Sequence, residues 1–202
     1  MTLVSFGGFG SEGYDFESRP EVDEWLRQRA QAAPSAPTRF EVLDGEQVAL
    51  APLTEAHAAC SIRLNRLLGE AVGDLASVSV HNPVDLGGGS QPCPDVAVLR
   101  RRPDDYRHGF AGVDDLLLLV EVADSSFGLT HARGRKASLY ARCGIAECWI
   151  VDLISRQLLV QREPASGGYR ELRHLRSGSV ITSVALPGVS LPVGKILGEG
   201  DL

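Results

Sequence analysis

A run of apolar residues broken by a single carboxylate constrains this 202-residue chain more than any other segment. Residues 116–122 read Leu-Leu-Leu-Leu-Val-Glu-Val, which is typical of a central β-strand that is covered on both faces. Glu121 is the only charge in the run. A carboxylate in such a strand carries a desolvation cost unless a cation or a metal meets it, so the run predicts both a buried sheet and a partner for Glu121.

Strands and helices alternate around this segment. Phe-Glu-Val-Leu and Gln-Val-Ala-Leu, separated by Asp44-Gly45, predict a hairpin, and Thr54 is placed to cap a helix that runs to about Gly73. A second helix is predicted from about Thr130 to Cys143, where Gly144 ends it. This order indicates an α+β (α/β-like) sheet with few helices. The other predicted strands are Val78–Leu86, Asp95–Leu99, Cys148–Val151, Leu158–Arg162 and Tyr169–Leu172, with a closing edge segment at Leu186–Pro192.

The chain is predicted to hold one domain, at residues 39–202, behind a flexible lead-in at residues 1–38 that contains a short helix at Arg19–Ala33. The N-terminus lacks the basic start and apolar run of a signal peptide, and no stretch is long enough to span a membrane. The 4 cysteines form no CxxC pair. We therefore expect a cytoplasmic protein with no membrane partner.

The formal charge of −6 argues against a surface that is basic all over, so any contact with nucleic acid must be local. Two basic clusters are candidates: Arg100–Arg102, with Arg107 nearby, and Arg133, Arg135 and Lys136. Solvated charge after a strand and on a helix is the more ordinary interpretation of most of these side chains.

Lys136 does not fit a solvated face. It precedes Leu139, Tyr140 and Cys143 by three, four and seven residues, so on a helix it belongs to the buried stripe. One interpretation is a lysine whose stem covers apolar surface while its ammonium reaches water. The other is an ammonium directed at carboxylates or a phosphate in a shared cleft.

Asp95 opens a predicted strand directly after Pro94, and ligands in such folds lie at strand ends along one edge of the sheet. Together with Glu121 it offers acidic oxygens that, with a backbone carbonyl, suit Mg²⁺. Asp95, Glu121 and Lys136 are therefore the candidate catalytic residues, with Asp95 and Glu121 as the metal ligands.

Three segments with these residues carry a recognisable pattern: Pro94-Asp95-Val-Ala-Val-Leu99, Leu118-Leu-Val-Glu121-Val-Ala-Asp-Ser-Ser126, and Arg135-Lys136-Ala-Ser-Leu-Tyr140-Ala-Arg-Cys-Gly144-Ile-Ala-Glu-Cys-Trp149-Ile-Val-Asp152. They resemble the Uma-two (Uma2) family of restriction endonucleases, which belongs to the PD-(D/E)xK nuclease superfamily. The similarity runs from about Phe40 to the C-terminus and includes Glu41–Glu46 and His57. Its most specific part is the string from Gly144 to Asp152.

The resemblance implies a restriction-endonuclease-like mixed sheet flanked by a few helices, and Mg²⁺- or Mn²⁺-dependent hydrolysis of DNA phosphodiester bonds. It implies Asp95 and Glu121 as metal ligands and Lys136 as the assisting lysine, with a homodimer as a further expectation. His57 and Glu46 are candidate outer-shell residues. A satisfied core histidine and an exposed hairpin glutamate are the more ordinary roles for these two.

Two positions depart from the family pattern. The lysine usually found two residues after the glutamate is replaced by Ala123, and many members carry an aspartate where this chain has Ala132, after a slightly longer connection from Ser126. A second hypothesis is therefore a catalytically weak or inactive nuclease fold that acts as a binding or regulatory module. DNA versus RNA, and any sequence preference, stay open at this stage.

Overall fold

Six strands form one mixed sheet in a computed structural model that describes residues 39–50 and 52–199. The strands are β3 (Ala76–Val80), β5 (Val96–Arg100), β7 (Leu116–Ala123), β8 (Glu147–Asp152), β9 (Gln157–Ala165) and β10 (Gly168–Leu175). Their order in the sheet is β10-β9-β8-β7-β5-β3, and of the neighbouring strand pairs only β7 and β8 are parallel. The predicted lead-in and its helix Arg19–Ala33 lie outside the described residues.

The remaining elements pack around this sheet as short pairs and helices. The helices are α1 (Glu55–Val72), α2 (Ser126–His131), α3 (Ala137–Arg142) and α4 (Val193–Leu197), with a π turn at Ala132–Lys136 between α2 and α3 and short 3₁₀ turns at Gly73–Leu75 and Val113–Asp115. The two-stranded pairs are β1 (Phe40–Leu43) with β2 (Glu46–Ala49), β4 (Val84–Asp85) with β6 (Ala111–Gly112), and β11 (Val180–Thr182) with β12 (Ser190–Pro192).

Strand β7 is buried along its whole length, as its apolar run predicts. One face of the sheet packs against α1 and α4 through residues such as Leu64, Leu68 and Ile196. The other packs against α3 and the β1–β2 hairpin through Leu139, Tyr140 and Leu43. Both faces are therefore covered, and the sequence-based expectation of a mixed sheet flanked by few helices is confirmed.

The local signals at turns and helix ends are also confirmed. Asp44 and Gly45 both have positive φ, 54° and 77°, the conformation that a tight two-residue hairpin turn requires. The Thr54 hydroxyl caps α1 by accepting a hydrogen bond from the backbone N–H of His57. Gly144, with φ 78°, follows the end of α3 as predicted.

Three predicted elements differ from the structure. The single strand expected at Val78–Leu86 is broken, because His81 turns into the left-handed region at φ 54° and Pro83 cannot donate to a ladder. The second helix begins at Ser126, not Thr130, because Ser125 caps it through the backbone N–H of Gly128. The segment Leu186–Pro192 pairs in the small β11–β12 ladder and does not edge the main sheet.

Within the part of the chain that the structure describes, no helix combines the length and the hydropathy needed to cross a bilayer.

A core substitution should test the two-faced packing of β7. Leu119 is fully buried, so Leu119→Ala should lower the free energy of unfolding by about 2–5 kcal/mol through lost burial and a cavity. Ile62→Ala on the outer face of α1, where the side chain is 72% exposed, is the matched control and should change stability by about 0.5 kcal/mol or less. Urea denaturation of both variants measures the difference, and equal effects would contradict the packing.

Candidate functional site

Three neighbouring strand ends meet at one end of the sheet and place the candidate residues side by side. His81 directly follows β3, Asp95 directly precedes β5, and Glu121 lies near the end of β7. The backbone N–H of His81 donates to the carbonyl oxygen of Asp95 at 3.1 Å, which extends the β3–β5 ladder by one residue. The β5–β7 register pairs Val96 with Val120, so Asp95 and Glu121 are the next residues along the two strands.

Asp95 is held by both of its oxygens. Its Oδ2 accepts a 2.7 Å hydrogen bond from the backbone N–H of Val122 and lies 3.2 Å from Nε2 of His57. Its Oδ1 lies 3.3 Å from Nε2 of His81. The carboxylate is therefore oriented by the Val122 N–H of β7 and by His57 in the first turn of α1, while His81 at the end of β3 lies beside its other oxygen.

Glu121 meets the cation that its position requires. Lys136 Nζ donates to Glu121 Oε2 at 2.8 Å, and the hydroxyl of Tyr140 donates to Oε1 at 2.6 Å. The side chains of Glu121 and Lys136 are 5% and 4% exposed, so this ion pair is almost fully removed from solvent.

A third carboxylate, Glu41 of β1, completes the charge cluster. Its Oε2 lies 3.2 Å from Lys136 Nζ and accepts a hydrogen bond from the backbone N–H of Cys93 at 3.0 Å, while its Oε1 lies 2.8 Å from Nε2 of His131. Lys136 also donates to the carbonyl oxygen of Cys93 at 3.0 Å. The hairpin, the loop before Asp95 and the helical segment are thus tied together at one ammonium.

The cluster opens into a small cavity of about 110 Å³. Asp95, Glu121, Lys136 and His57 all contribute to its walls. His57 reaches it because it lies in the first turn of α1, where the Thr54 cap fixes its backbone; the Thr54 hydroxyl also donates to Asp124 at the end of β7, with an oxygen–oxygen distance of 2.6 Å.

The electrostatics of the cluster follow from burial and from the ratio of acids to cations. Burial raises the pKa of Glu121 to about 7, and the nearby Asp95 charge adds to this despite the Lys136 ammonium. Burial also opposes ionisation of Asp95 and Glu41, but the histidines and Lys136 beside them outweigh it and hold both pKa values below their usual range. Burial lowers the pKa of Lys136, yet the three carboxylates more than offset this and raise it. Lys136 therefore stays charged, and Glu121 is the carboxylate that most readily takes up a proton.

The structure brings together four of the five side chains singled out from the sequence. Asp95, Glu121, Lys136 and His57 line one cavity. Glu46 does not belong to this group: its side chain is 69% exposed and pairs with Arg135 at 2.6 Å on the outside of the hairpin. The expected outer-shell place of Glu46 is therefore wrong, because β2 turns its side chain away from the sheet.

The cluster Arg100–Arg102 lies at the wrong end of β5 for a role at this site. Asp95 precedes the strand and Arg100 ends it, which separates them by roughly 17 Å at the rise of a β-strand. Arg102 pairs with Asp104 at 3.1 Å, and the Arg100 side chain donates to the carbonyl oxygen of Asp114. These guanidinium groups bind their own chain and do not line the cavity.

The sequence did not identify three of the residues that belong to the site. Glu41 had a signal, since it shares with Leu43 the i, i+2 phase that is buried in β1. Tyr140 was interpreted as core, which it is, but its hydroxyl also holds Glu121. His81 had no local signal, because only the pairing of β3 with β5 brings it to Asp95.

The helical segment that carries Lys136 is not a regular α-helix. A π turn at Ala132–Lys136 widens it by one residue, and both Ala132 and Lys136 are buried. Ala132 lines the cavity at the position where the sequence resemblance leads one to expect an aspartate.

Comparisons with known proteins bear on this site. A family model described as "Putative restriction endonuclease" (Uma2) matches residues 24–194. Among solved structures, the chain is similar to a "putative nuclease belonging to DUF820" from Anabaena variabilis, with a TM-score of 0.60, 16% sequence identity, and coverage of 88% of this chain and 97% of that chain. At this identity the likeness concerns the fold. A search of curated proteins found no match.

Removing the buried ammonium should destabilise the fold strongly. Lys136→Met keeps most of the side-chain volume but leaves Glu121 and Glu41 buried without their cation, which should cost about 3–5 kcal/mol of unfolding free energy. Arg142→Met breaks the exposed pair with Asp44 and should cost about 0–1 kcal/mol. Chemical denaturation of both variants measures the two costs. A similar small loss in each would show that the buried pair contributes no more than a surface one.

The raised pKa of Glu121 should appear in the pH dependence of stability. Between its ordinary pKa of 4.5 and its folded pKa of about 7, the folded protein holds a proton that the unfolded chain releases, so stability falls as pH rises through this window. Glu121→Gln should flatten this part of the curve, while His57, whose pKa Asp95 raises against its burial, still contributes a slope of the same sign. Urea midpoints from pH 4.5 to 7.5, measured in chelator, test this, and parallel curves would contradict it.

Proposed function

The chain belongs to the Uma2 family of restriction-endonuclease-like proteins, and from that premise we propose that it is a metal-dependent endonuclease acting on DNA. Asp95 and Glu121 hold Mg²⁺ or Mn²⁺, and Lys136 assists. The observation that supports the proposal is the cavity lined by Asp95, Glu121 and Lys136, in which the Lys136 ammonium lies 2.8 Å from Glu121 Oε2. A purely structural ion pair would need no such cavity.

The donor set fits a hard divalent cation. An ionised carboxylate offers about four acceptor positions. At Asp95, three groups approach these positions, namely Val122, His57 and His81. At Glu121, two positions accept hydrogen bonds, from Lys136 and Tyr140. Both carboxylates keep capacity for another partner. Their oxygens are the ligand type that Mg²⁺ prefers. Burial and the Asp95 charge both oppose ionisation of Glu121, and a divalent cation bound beside it would favour the ionised form.

A metal bound there would lower the pKa of an attacking water and neutralise the charge that develops on the phosphate. The chain's own residues prepare this chemistry. His57 and the Val122 N–H keep Asp95 ionised and oriented, and the Tyr140 hydroxyl fixes Glu121. The three protons of Lys136 all have acceptors nearby, in Glu121, Glu41 and Cys93, so it can assist hydrolysis only by releasing one of these contacts.

Groups around the cavity also suit a nucleic-acid substrate. Arg39, His131 and Lys136 all line it. In a chain of net charge −6, these three side chains are local donors for a phosphate. Phe127 lines the cavity with 72% of its surface exposed and lies parallel to the His131 ring at 6.4 Å between centroids. An exposed aromatic face of this kind can stack on a base.

The second candidate function is a nuclease fold without activity that binds or regulates. The observation that favours it is that each oxygen of Glu121 already accepts a hydrogen bond, one from Lys136 and one from Tyr140. Ala132, which supplies no carboxylate to the cavity, points in the same direction.

Nicking of supercoiled plasmid in Mg²⁺ or Mn²⁺ separates the two candidates. Asp95→Asn and Glu121→Gln should each abolish metal-dependent nicking, because each removes a ligand charge while keeping its shape. Glu46→Gln, on the outside of the hairpin, should leave nicking unchanged. Circular dichroism of each variant checks that the fold is kept.

Thermal melting gives a second readout. A metal that binds only the native state stabilises it by about 2.7 kcal/mol at a hundred times its dissociation constant, and Glu121→Gln should lose this response. A wild type that neither nicks plasmid nor melts higher with metal would favour the inactive module. Equal nicking by the wild type and both site variants would remove Asp95 and Glu121 from the mechanism.

A further inference from the structure

Two imidazole nitrogens converge on the carboxylate of Asp95. Nε2 of His57 lies 3.2 Å from Oδ2, and Nε2 of His81 lies 3.3 Å from Oδ1. One potential ligand atom from each of the three residues falls within 4.8 Å of the others. Among the residues that the structure describes, His57, His81 and Asp95 are the histidine, cysteine or acidic side chains whose ligand atoms lie close enough together to share one metal ion.

Hydrogen bonding does not account for His81. Its Nε2 is buried and, within residues 39–50 and 52–199, has no hydrogen-bond partner, because its approach to Asp95 lacks the required geometry. Its backbone is in the left-handed region at φ 54°, and its N–H is tied to the Asp95 carbonyl. A buried nitrogen without a hydrogen bond carries a desolvation cost, which a ligand bound at His81 Nε2 would relieve.

The spacing matches metal coordination. Ligands at about 2.0–2.2 Å from an ion lie roughly 3–3.5 Å from their neighbours around it, and the two histidine–aspartate distances of 3.2 and 3.3 Å fall in this range. The two nitrogens approach different oxygens of the carboxylate, and the two rings lie 5.9 Å apart between centroids, 29° from parallel. Ser61 Oγ lies 3.4 Å from Nδ1 of His57, the position from which a neighbour fixes the tautomer of a ligating histidine.

The donor types select the metal. Two imidazoles and one carboxylate suit borderline divalent ions such as Zn²⁺, Co²⁺ and Ni²⁺, whereas Mg²⁺ and Ca²⁺ prefer oxygen alone. Three protein ligands also leave positions open for water, as in catalytic rather than structural metal sites.

We propose that His57, His81 and Asp95 form a binding site for a borderline divalent transition metal. The site rests on the proposed function only in sharing Asp95 with the Mg²⁺ site, and it differs from that site by using nitrogen donors and not Glu121. It binds Zn²⁺ or Co²⁺ whether or not the protein cleaves DNA.

Titration of the full chain, stripped with chelator and dialysed, with Co²⁺ tests the site. Co²⁺ with imidazole ligands should show visible d–d bands that differ from those of hydrated Co²⁺, at one ion per chain. Zn²⁺ binding by calorimetry gives an independent affinity. His81→Gln should lower both affinities by about 10-fold or more, since it removes a ligand. His174→Gln, an exposed histidine beside Gln157, is the matched control and should change neither.

Three outcomes would overturn the proposal: a Co²⁺ spectrum identical to that of the hydrated ion, unchanged affinity in His81→Gln, or an equal loss in His174→Gln. His81 is less buried than His57, so its variant decides the test even if His57→Gln fails to fold. Glu121→Gln separates this site from the nuclease site, because it should lose the Mg²⁺ response and keep Co²⁺ binding. If the protein binds Co²⁺ but does not nick plasmid, only the endonuclease proposal is refuted. If it nicks plasmid but does not bind Co²⁺, only the histidine site is refuted.

Discussion

The buried ammonium of Lys136 is the interaction on which the site depends. It lies 2.8 Å from Glu121 Oε2 on the central strand, 3.2 Å from Glu41 Oε2 on the hairpin and 3.0 Å from the Cys93 carbonyl before Asp95. A buried charge is stable only when all of its partners are in place. The hairpin, the loop before Asp95 and the helical segment therefore depend on one another for their positions. The ion pair thus sets the positions of the groups around it.

The same interaction leaves the site short of positive charge. Three carboxylates, Glu121, Glu41 and Asp95, lie around the Lys136 ammonium, and burial together with the Asp95 charge raises the pKa of Glu121 to about 7. Asp95 and Glu41 remain ionised because histidines lie beside them. A fold of this kind balances its charges more completely with a divalent cation than without one, which connects the stability of the cluster to the proposed chemistry.

Asp95 belongs to both of the proposed metal sites because it lies at the junction of three strand ends. On one strand it neighbours Glu121, an oxygen ligand, and on the other it neighbours His81, a nitrogen ligand. An oxygen-only set and a mixed nitrogen and oxygen set select different ions. If both proposals hold, the metal bound at this end of the sheet would depend on which neighbour joins Asp95 in coordinating it.

The sequence by itself determined what depends on short-range spacing. The apolar run identified β7 and the isolation of Glu121, and the three-and-four spacing identified the inward face of Lys136. The segments around them predicted the family and the mixed sheet. The conformation of the Asp44-Gly45 turn also followed from its residues alone, because each of these features involves neighbours in the chain.

The tertiary structure decided which distant groups meet. The bridge between Val42 and Gln91 held β1 beside the segment before Asp95 and so placed Glu41, and not Glu46, at the ammonium. The β3–β5 ladder brought His81 to Asp95. The direction of β5 separated Arg100–Arg102 from the site, although these residues follow Asp95 closely in sequence. Which strands lie side by side across long stretches of chain is set by the packing of whole faces, so short-range spacing alone does not specify these contacts.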